Sequence, residues 1–152
     1  MPSDRSDTIR RANPREQGTI GVGAAIRWFI ANGYDVFLPV GEPRHYDLIV
    51  VDAAGDLQRV EVKTTTCRNS RGRFVVQIAT SGGNQSWTGV VKTFDPSEVD
   101  LLYVLTDDGD EYVVPTTQIR ARHSLTLGPA TDRFRVVDHG RAQPALEFGA
   151  GA

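Results

Sequence analysis

Tyr46 to Thr64 read YDLIVVDAAGDLQRVEVKT, two apolar runs about a turn, with charge at a few chosen places. Leu48, Ile49, Val50 and Val51 are continuously apolar, the pattern of a strand buried on both faces, and Ala54-Gly55-Asp56 supplies a reversal. The stretch is therefore expected to be a β-hairpin. In the second run Val60 and Val62 alternate with Glu61 and Lys63, which puts the carboxylate and the amine on one strand face, roughly 6.5 Å apart along the chain. Asp47 opens the first run at the end away from the turn. Pairing across that turn brings it level with Glu61 and Lys63. Two carboxylates and an ammonium at the edge of an apolar sheet are costly to bury unless they meet one another or a cation. A site for a hard divalent ion is the simplest account, and Mg²⁺ suits it, being held by one or two carboxylates with water and phosphate oxygens completing its octahedron.

On the N-terminal side, residues 1–17 are polar and carry Arg5, Arg10, Arg11 and Arg15, and read as a flexible basic arm. A helix is predicted from near Thr19, with Ile20, Ala24, Ile26, Trp28, Phe29 and Ile30 as its apolar stripe and Asn32-Gly33 as its stop. Gly21 and Gly23 weaken such a helix by up to about 1 kcal/mol each relative to alanine, and would let it lie close to the sheet or a partner. Tyr34 to Val40 reads as a first strand. Arg44 and His45 directly precede Asp47: Arg44 suits a phosphate contact, whereas His45, a lone histidine beside a strand, stays outside the catalytic set.

On the C-terminal side, Thr64 to Arg73 is rich in hydroxyls and holds Arg68, Arg71 and Arg73, groups that bind sugar-phosphate backbone. Phe74 to Thr80 reads as a strand, followed by a loop and Trp87, which is expected to anchor that loop by packing. Asp95-Pro96-Ser97-Glu98 has the pattern of a capped helical turn. Leu101–Leu105 and Tyr112–Val114 form another hairpin about Asp107-Asp108-Gly109-Asp110, an acidic turn that lacks calcium-loop spacing and reads as solvated. A short helix over 116–122, an edge strand over 134–137 and a disordered Gly/Ala-rich tail over 139–152 complete the expectation.

The run from Gly18 through Thr66, with the later FDPSEVDLLYVLTDDGDEYVVP, resembles the PD-(D/E)xK nuclease superfamily, in particular the homing endonucleases associated with group I introns. Holliday-junction resolvases are more distant relatives. The resemblance covers about Gln17 to Pro115. It implies a restriction-endonuclease-like α/β core, with a long N-terminal helix packed on a mixed sheet and an extra C-terminal hairpin, spanning residues 18–138. Residue by residue, Asp47 matches the first acidic position of the motif, Glu61 the second and Lys63 the lysine, while Tyr46 stands at the nominal proline. By the same resemblance Asp47 and Glu61, with the Val62 carbonyl, would hold Mg²⁺ or Mn²⁺ against a scissile phosphate, and Lys63 would orient the attacking water or stabilise the transition state. A second departure from the family matters more: Val22 stands where these nucleases carry a glutamate on the first helix. Glu16 cannot replace it, because six residues turn a helix by roughly 240°. Either Asp47 and Glu61 suffice, or activity is reduced or absent.

The 152 residues carry 24% charged and 39% hydrophobic side chains, an ordinary composition for one folded domain. A net charge of −2 gives no bulk electrostatic pull toward nucleic acid, so DNA contact must come from local patches. No apolar stretch approaches the ~20 residues that span a bilayer, and the N-terminal residues lack a signal-peptide core, so a cytoplasmic setting is expected. The single cysteine, Cys67, excludes an internal disulfide and a multi-cysteine zinc site. The chain is thus expected to be a divalent-metal-dependent DNA endonuclease acting as a homodimer or higher even oligomer. The alternatives are a nuclease-fold DNA-binding or protein-interaction module without turnover, and a structural protein with no nucleic-acid partner.

Overall fold

Asn13, Pro14 and Glu16 start the long helix, α1 (Pro14–Ala31), five residues before the expected start near Thr19. In this computed structural model, which describes residues 9–10, 12–41, 45–81 and 91–136, the Asn13 side chain accepts from the Glu16 N–H while the Glu16 carboxylate accepts from the Asn13 N–H. This is a reciprocal cap with proline at the first helical position. Those residues read as part of a polar arm because the cap signal is itself polar. Ile9 is buried in the core beside the helix, and Arg10 is ion-paired to Asp107. The rest of the expected arm (1–8 and Arg11), Arg44, Trp87 and the 139–152 tail lie outside the described residues.

α1 buries Gly21, Ala25, Trp28 and Phe29, while Ile30, expected in the stripe, is 58% exposed. The helix lies on a six-stranded mixed sheet of order β1-β2-β3-β7-β8-β10. Its strands are β1 (Asp35–Phe37), β2 (Leu48–Val51), β3 (Leu57–Thr65), β7 (Leu101–Thr106), β8 (Glu111–Pro115) and β10 (Arg135–Val136). Neighbours are antiparallel except at the centre, where β3 and β7 run parallel. The hairpin expected as a C-terminal addition, β7–β8, thus belongs to the same sheet, with β7 at its centre beside β3. The Asp52 carboxylate shapes the β2–β3 turn by accepting from the N–H groups of Ala54 and Asp56, both at 2.9 Å, and Gly55 takes a φ of +89°.

All six residues of β7 are buried, with alternate side chains serving two cores. Leu101, Tyr103 and Leu105 join Trp28, Phe29, Leu48, Val50 and Val60 on the helix side. Leu102 and Val104 join Phe74, Val76, Phe94, Tyr112 and Val114 on the other. The second core is roofed by short strands: β4 (Val75–Gln77) pairs with β9 (Ser124–Thr126), and β5 (Thr80–Ser81) with β6 (Val91–Lys92). The single strand expected over 74–80 is therefore two strands with different partners. The helix expected over 116–122 is only a 3₁₀ turn at Thr116–Gln118. β2 also departs from expectation: Leu48 and Val50 are buried, but Ile49 and Val51 are half-exposed. Their face continues across Phe37 and Leu57, 55% and 60% exposed, because the roof covers β7 and β8 and leaves the β1–β2 half of the sheet open.

The acidic turn between β7 and β8 is tied down. Asp107 is 1% exposed and takes Arg10, with Nε 2.9 Å away; Asp108 takes Arg68 at 2.6 Å; Asp110 takes Arg135 at 2.6 Å. Beneath it, the Tyr103 hydroxyl donates to the buried Glu111, which also faces Arg27 at 3.5 Å. Among the described residues no helix is long and apolar enough to cross a membrane.

Gly21 sets the distance between α1 and β3. A Cβ there would fall 2.6 Å from Thr64 Cγ2 and 3.2 Å from Val62 Cγ1, whereas position 23 has nothing within 4 Å. Two substitutions that are equal by helix propensity should therefore differ in sign. Gly21→Ala is expected to destabilise by about 1–3 kcal/mol through overpacking, and Gly23→Ala to stabilise by up to about 1 kcal/mol. Urea unfolding of the two variants against the parent checks this.

Candidate active site

The hairpin register puts Leu48 opposite Val60, so the next residue out, Asp47, falls level with Glu61. Here β2 peels away from β3, and the Asp47 side chain takes over from its backbone. The Asp47 N–H still donates to the Val60 carbonyl at 2.8 Å, but the Val62 N–H donates to Asp47 Oδ2 at 2.7 Å. N–H and C=O of one strand residue point to the same side. The Val62 carbonyl therefore also faces the gap that β2 has left, beside the Asp47 carboxylate.

Val60 and Val62 face the α1 core, so Glu61 and Lys63 project from the opposite face of the sheet, where Asp47 stands. Lys63 Nζ lies 2.8 Å from Glu61 Oε1, with the two side chains 23% and 14% exposed. Burial pushes the Glu61 pKa above the ordinary carboxylate range. The charge and hydrogen bond of Lys63 pull it back without cancelling that effect, Asp47 adds to the rise, and His45 opposes it. Two carboxylates, one of them under-compensated without a cation, and the Val62 carbonyl make a donor set that fits a divalent ion. Three protein carboxylates do not gather here: among the described residues there is no group of three or more His, Cys, Asp or Glu side chains placed to share a metal. Val22 is partly buried against the helix-side core, on the other face of the sheet from Glu61.

Glu61 lines a small cleft with His45, Thr80, Lys92, Phe94 and Glu98. His45 Nδ1 is 3.1 Å from Glu98 Oε2 and 3.0 Å from Lys92 Nζ. The sequence reading sets His45 outside the catalytic set and does not foresee the approach of Lys92 and Glu98 to it. No local pattern announces them, since His45 and Lys92 are 47 residues apart. A roomier hollow, about 340 Å³ between α1 and the β7–β8 hairpin, is lined by Ile20, Ala24, Leu105 and Glu111 and holds none of the three motif residues.

The arginines of the basic loop differ in availability. Arg68 is engaged by Asp108 and by the Gly72 carbonyl at 2.7 Å, with its guanidinium 3.8 Å over the Phe74 ring. Arg71 is exposed, and its backbone N–H is held by the Asn69 side chain. Arg73 is held the same way, and its side chain lies against Gly128. Cys67 is a free, exposed thiol.

A mixed sheet with one long helix across it and an Asp…Glu-x-Lys cluster where two central strands diverge defines a restriction-endonuclease-like fold. A family model described as PD-(D/E)XK endonuclease matches residues 12–139, and the chain belongs to that family. Among solved structures it is similar to a bacterial homing endonuclease, I-Ssp6803I, with a TM-score of 0.65 and 23% identity over 88% of this chain and 86% of that one. No curated protein matches.

The raised Glu61 pKa has a measurable sign. A carboxyl whose folded pKa lies above its unfolded value destabilises the fold fully above the folded pKa and not at all below the unfolded one. Glu61→Gln removes this penalty, so in EDTA its melting temperature is expected to exceed the parent's at neutral pH, with the gap closing as pH falls through the carboxylate range. A parallel pair of thermal scans over a pH series reads it.

Proposed function

We propose that the protein is a divalent-metal-dependent DNA endonuclease that hydrolyses phosphodiester bonds. The observation that carries this reading is the meeting of Asp47, Glu61 and Lys63 on one sheet face, with the Asp47 carboxylate locked onto the Val62 N–H at 2.7 Å and Lys63 on Glu61 at 2.8 Å. Asp47, Glu61 and the Val62 carbonyl are the residues that would hold Mg²⁺ or Mn²⁺. When bound, such an ion supplies Lewis-acid stabilisation of the negative charge that builds on the phosphate. Asp47 is oriented in advance by its backbone hydrogen bond, so it loses little freedom on taking up its role. Lys63 reaches the reacting phosphate from the same face, where its ammonium orients the attacking water and offsets charge in the pentavalent transition state. Of the basic loop, Arg71 and Arg73 are the phosphate contacts, and Arg68 braces the loop through Asp108; Arg44 keeps its assignment to phosphate from its place beside the motif.

Cutting both strands of a duplex takes two such sites, so a homodimer or higher even oligomer belongs to this reading. Light scattering should return an even multiple of the chain mass, and a strict monomer would restrict the activity to nicking. A cytoplasmic setting belongs to the same reading. A second reading, a nuclease-fold DNA-binding or protein-interaction module without turnover, is favoured by Val22 in place of the helix glutamate and by the lack of a third ligating side chain among the described residues.

Supercoiled plasmid and branched DNA, incubated with Mg²⁺, Mn²⁺ or EDTA, separate the two. The parent is expected to nick or linearise DNA only with metal, and Lys63→Ala to cut at least about 100-fold more slowly while keeping its fold by circular dichroism. Equal cutting by Lys63→Ala would remove Lys63 from the reaction. DNA retention without cutting by the parent would establish the binding module.

A further inference from the structure

The cleft wall beside Glu61 carries a charged trio that the chemistry above does not use. Lys92, at the end of β6, straddles the Glu98 carboxylate, with Nζ 3.2 Å from Oε1 and 3.1 Å from Oε2. It also lies 3.0 Å from His45 Nδ1, and the same nitrogen is 3.1 Å from Glu98 Oε2. The trio opens to solvent: the Lys92 side chain is 49% exposed, His45 33% and Glu98 31%. Thr80 and Thr93 line the same cleft, so hydroxyl donors stand beside the ammonium.

Three physical points narrow what this arrangement does. First, Glu98 does not complete a metal set, because no three ligating side chains converge among the described residues. Second, a half-exposed lysine–carboxylate pair is held only weakly against water and salt, so an incoming anion of equal charge can displace the carboxylate at little net cost. Third, a cleft that presents an ammonium and hydroxyls next to a carboxylate site for a metal matches a run of phosphodiesters, one at the metal and one at the cation.

We propose that Lys92 is a DNA-contacting residue that leaves Glu98 for a backbone phosphate flanking the scissile one. His45 and Glu98 hold the ammonium at the cleft until the phosphate arrives. The proposal rests on the endonuclease reading, and adds to it a cation from a segment distant in sequence from both the motif and the arginine loop.

The test is duplex binding by fluorescence anisotropy across a salt series, with Ca²⁺ in place of Mg²⁺ to hold back cleavage, on the parent, Lys92→Ala, Lys92→Arg and Glu98→Gln. Lys92→Ala is expected to bind roughly ten-fold more weakly, and its slope of log K against log salt to be shallower by about one. Lys92→Arg should restore the slope. Glu98→Gln should bind more tightly than the parent, because the competing carboxylate is gone. A trio that merely braces β6 would give the opposite result for Glu98→Gln, weakening binding as Lys92→Ala does, and that outcome overturns the proposal. So does a parent slope retained in Lys92→Ala when the parent cuts DNA normally. A parent that neither binds nor cuts removes the endonuclease reading and this proposal together.

Discussion

The close approach of α1 to β3 at Gly21 decides how the rest of the sheet is used. With no side chain at that position, the helix settles onto Val62 and Thr64, and this assigns the even-numbered side of β3 to the core. The odd-numbered side is then left for Glu61 and Lys63, and the strand carries an apolar and a charged face without conflict. A bulkier residue at 21 would lift the helix, expose Val62 and loosen the backbone that presents the charges. The helix glycine and the charged face of β3 are thus parts of one packing arrangement, although Gly21 and Glu61 are 40 positions apart in the chain.

The departure of β2 from β3 is the second half of that arrangement. In an uninterrupted ladder the Val62 N–H and carbonyl would be taken up by a neighbouring backbone. Because β2 begins only at Leu48, the Asp47 side chain satisfies the N–H and the carbonyl faces the gap. That carbonyl points toward the Asp47 and Glu61 carboxylates, and the interruption of the sheet is what lets the three groups approach one another.

The hairpin was legible because its information is local. Alternation in Val60-Glu61-Val62-Lys63 gave the faces, and the turn at Ala54-Gly55-Asp56 gave the register that brought Asp47 level with Glu61. The α1 start was present in Asn13-Pro14 and Glu16, but the same residue types also make a polar arm, and only the hydrophobic continuation distinguishes them. β2 was read as buried on both sides because an apolar run does not say what covers it; the roof strands stop short, so Ile49 and Val51 are half-exposed. Arg68 was grouped with its neighbours by composition, yet its partner Asp108 is 40 residues away. For the same reason the trio of His45, Lys92 and Glu98 left no trace in sequence. Charges that meet only through the fold carry no periodicity.

The parallel contact of β3 with β7 has a consequence for how the molecule is assembled. The β2–β3 hairpin joins residues close in sequence and closes a short loop, so Asp47, Glu61 and Lys63 come together early and cheaply in chain entropy. The β3–β7 ladder must instead wait for a long crossover to close, as its first pair, Val60 with Leu101, shows. Non-local parallel pairing of this kind is intrinsically slow. The motif residues are therefore neighbours before the sheet is complete, while the wall that carries Lys92 and Glu98 lies within that crossover and takes its place only when the chain around it has found β7. In this order of folding, the Asp47, Glu61 and Lys63 cluster precedes the wall that stands beside it.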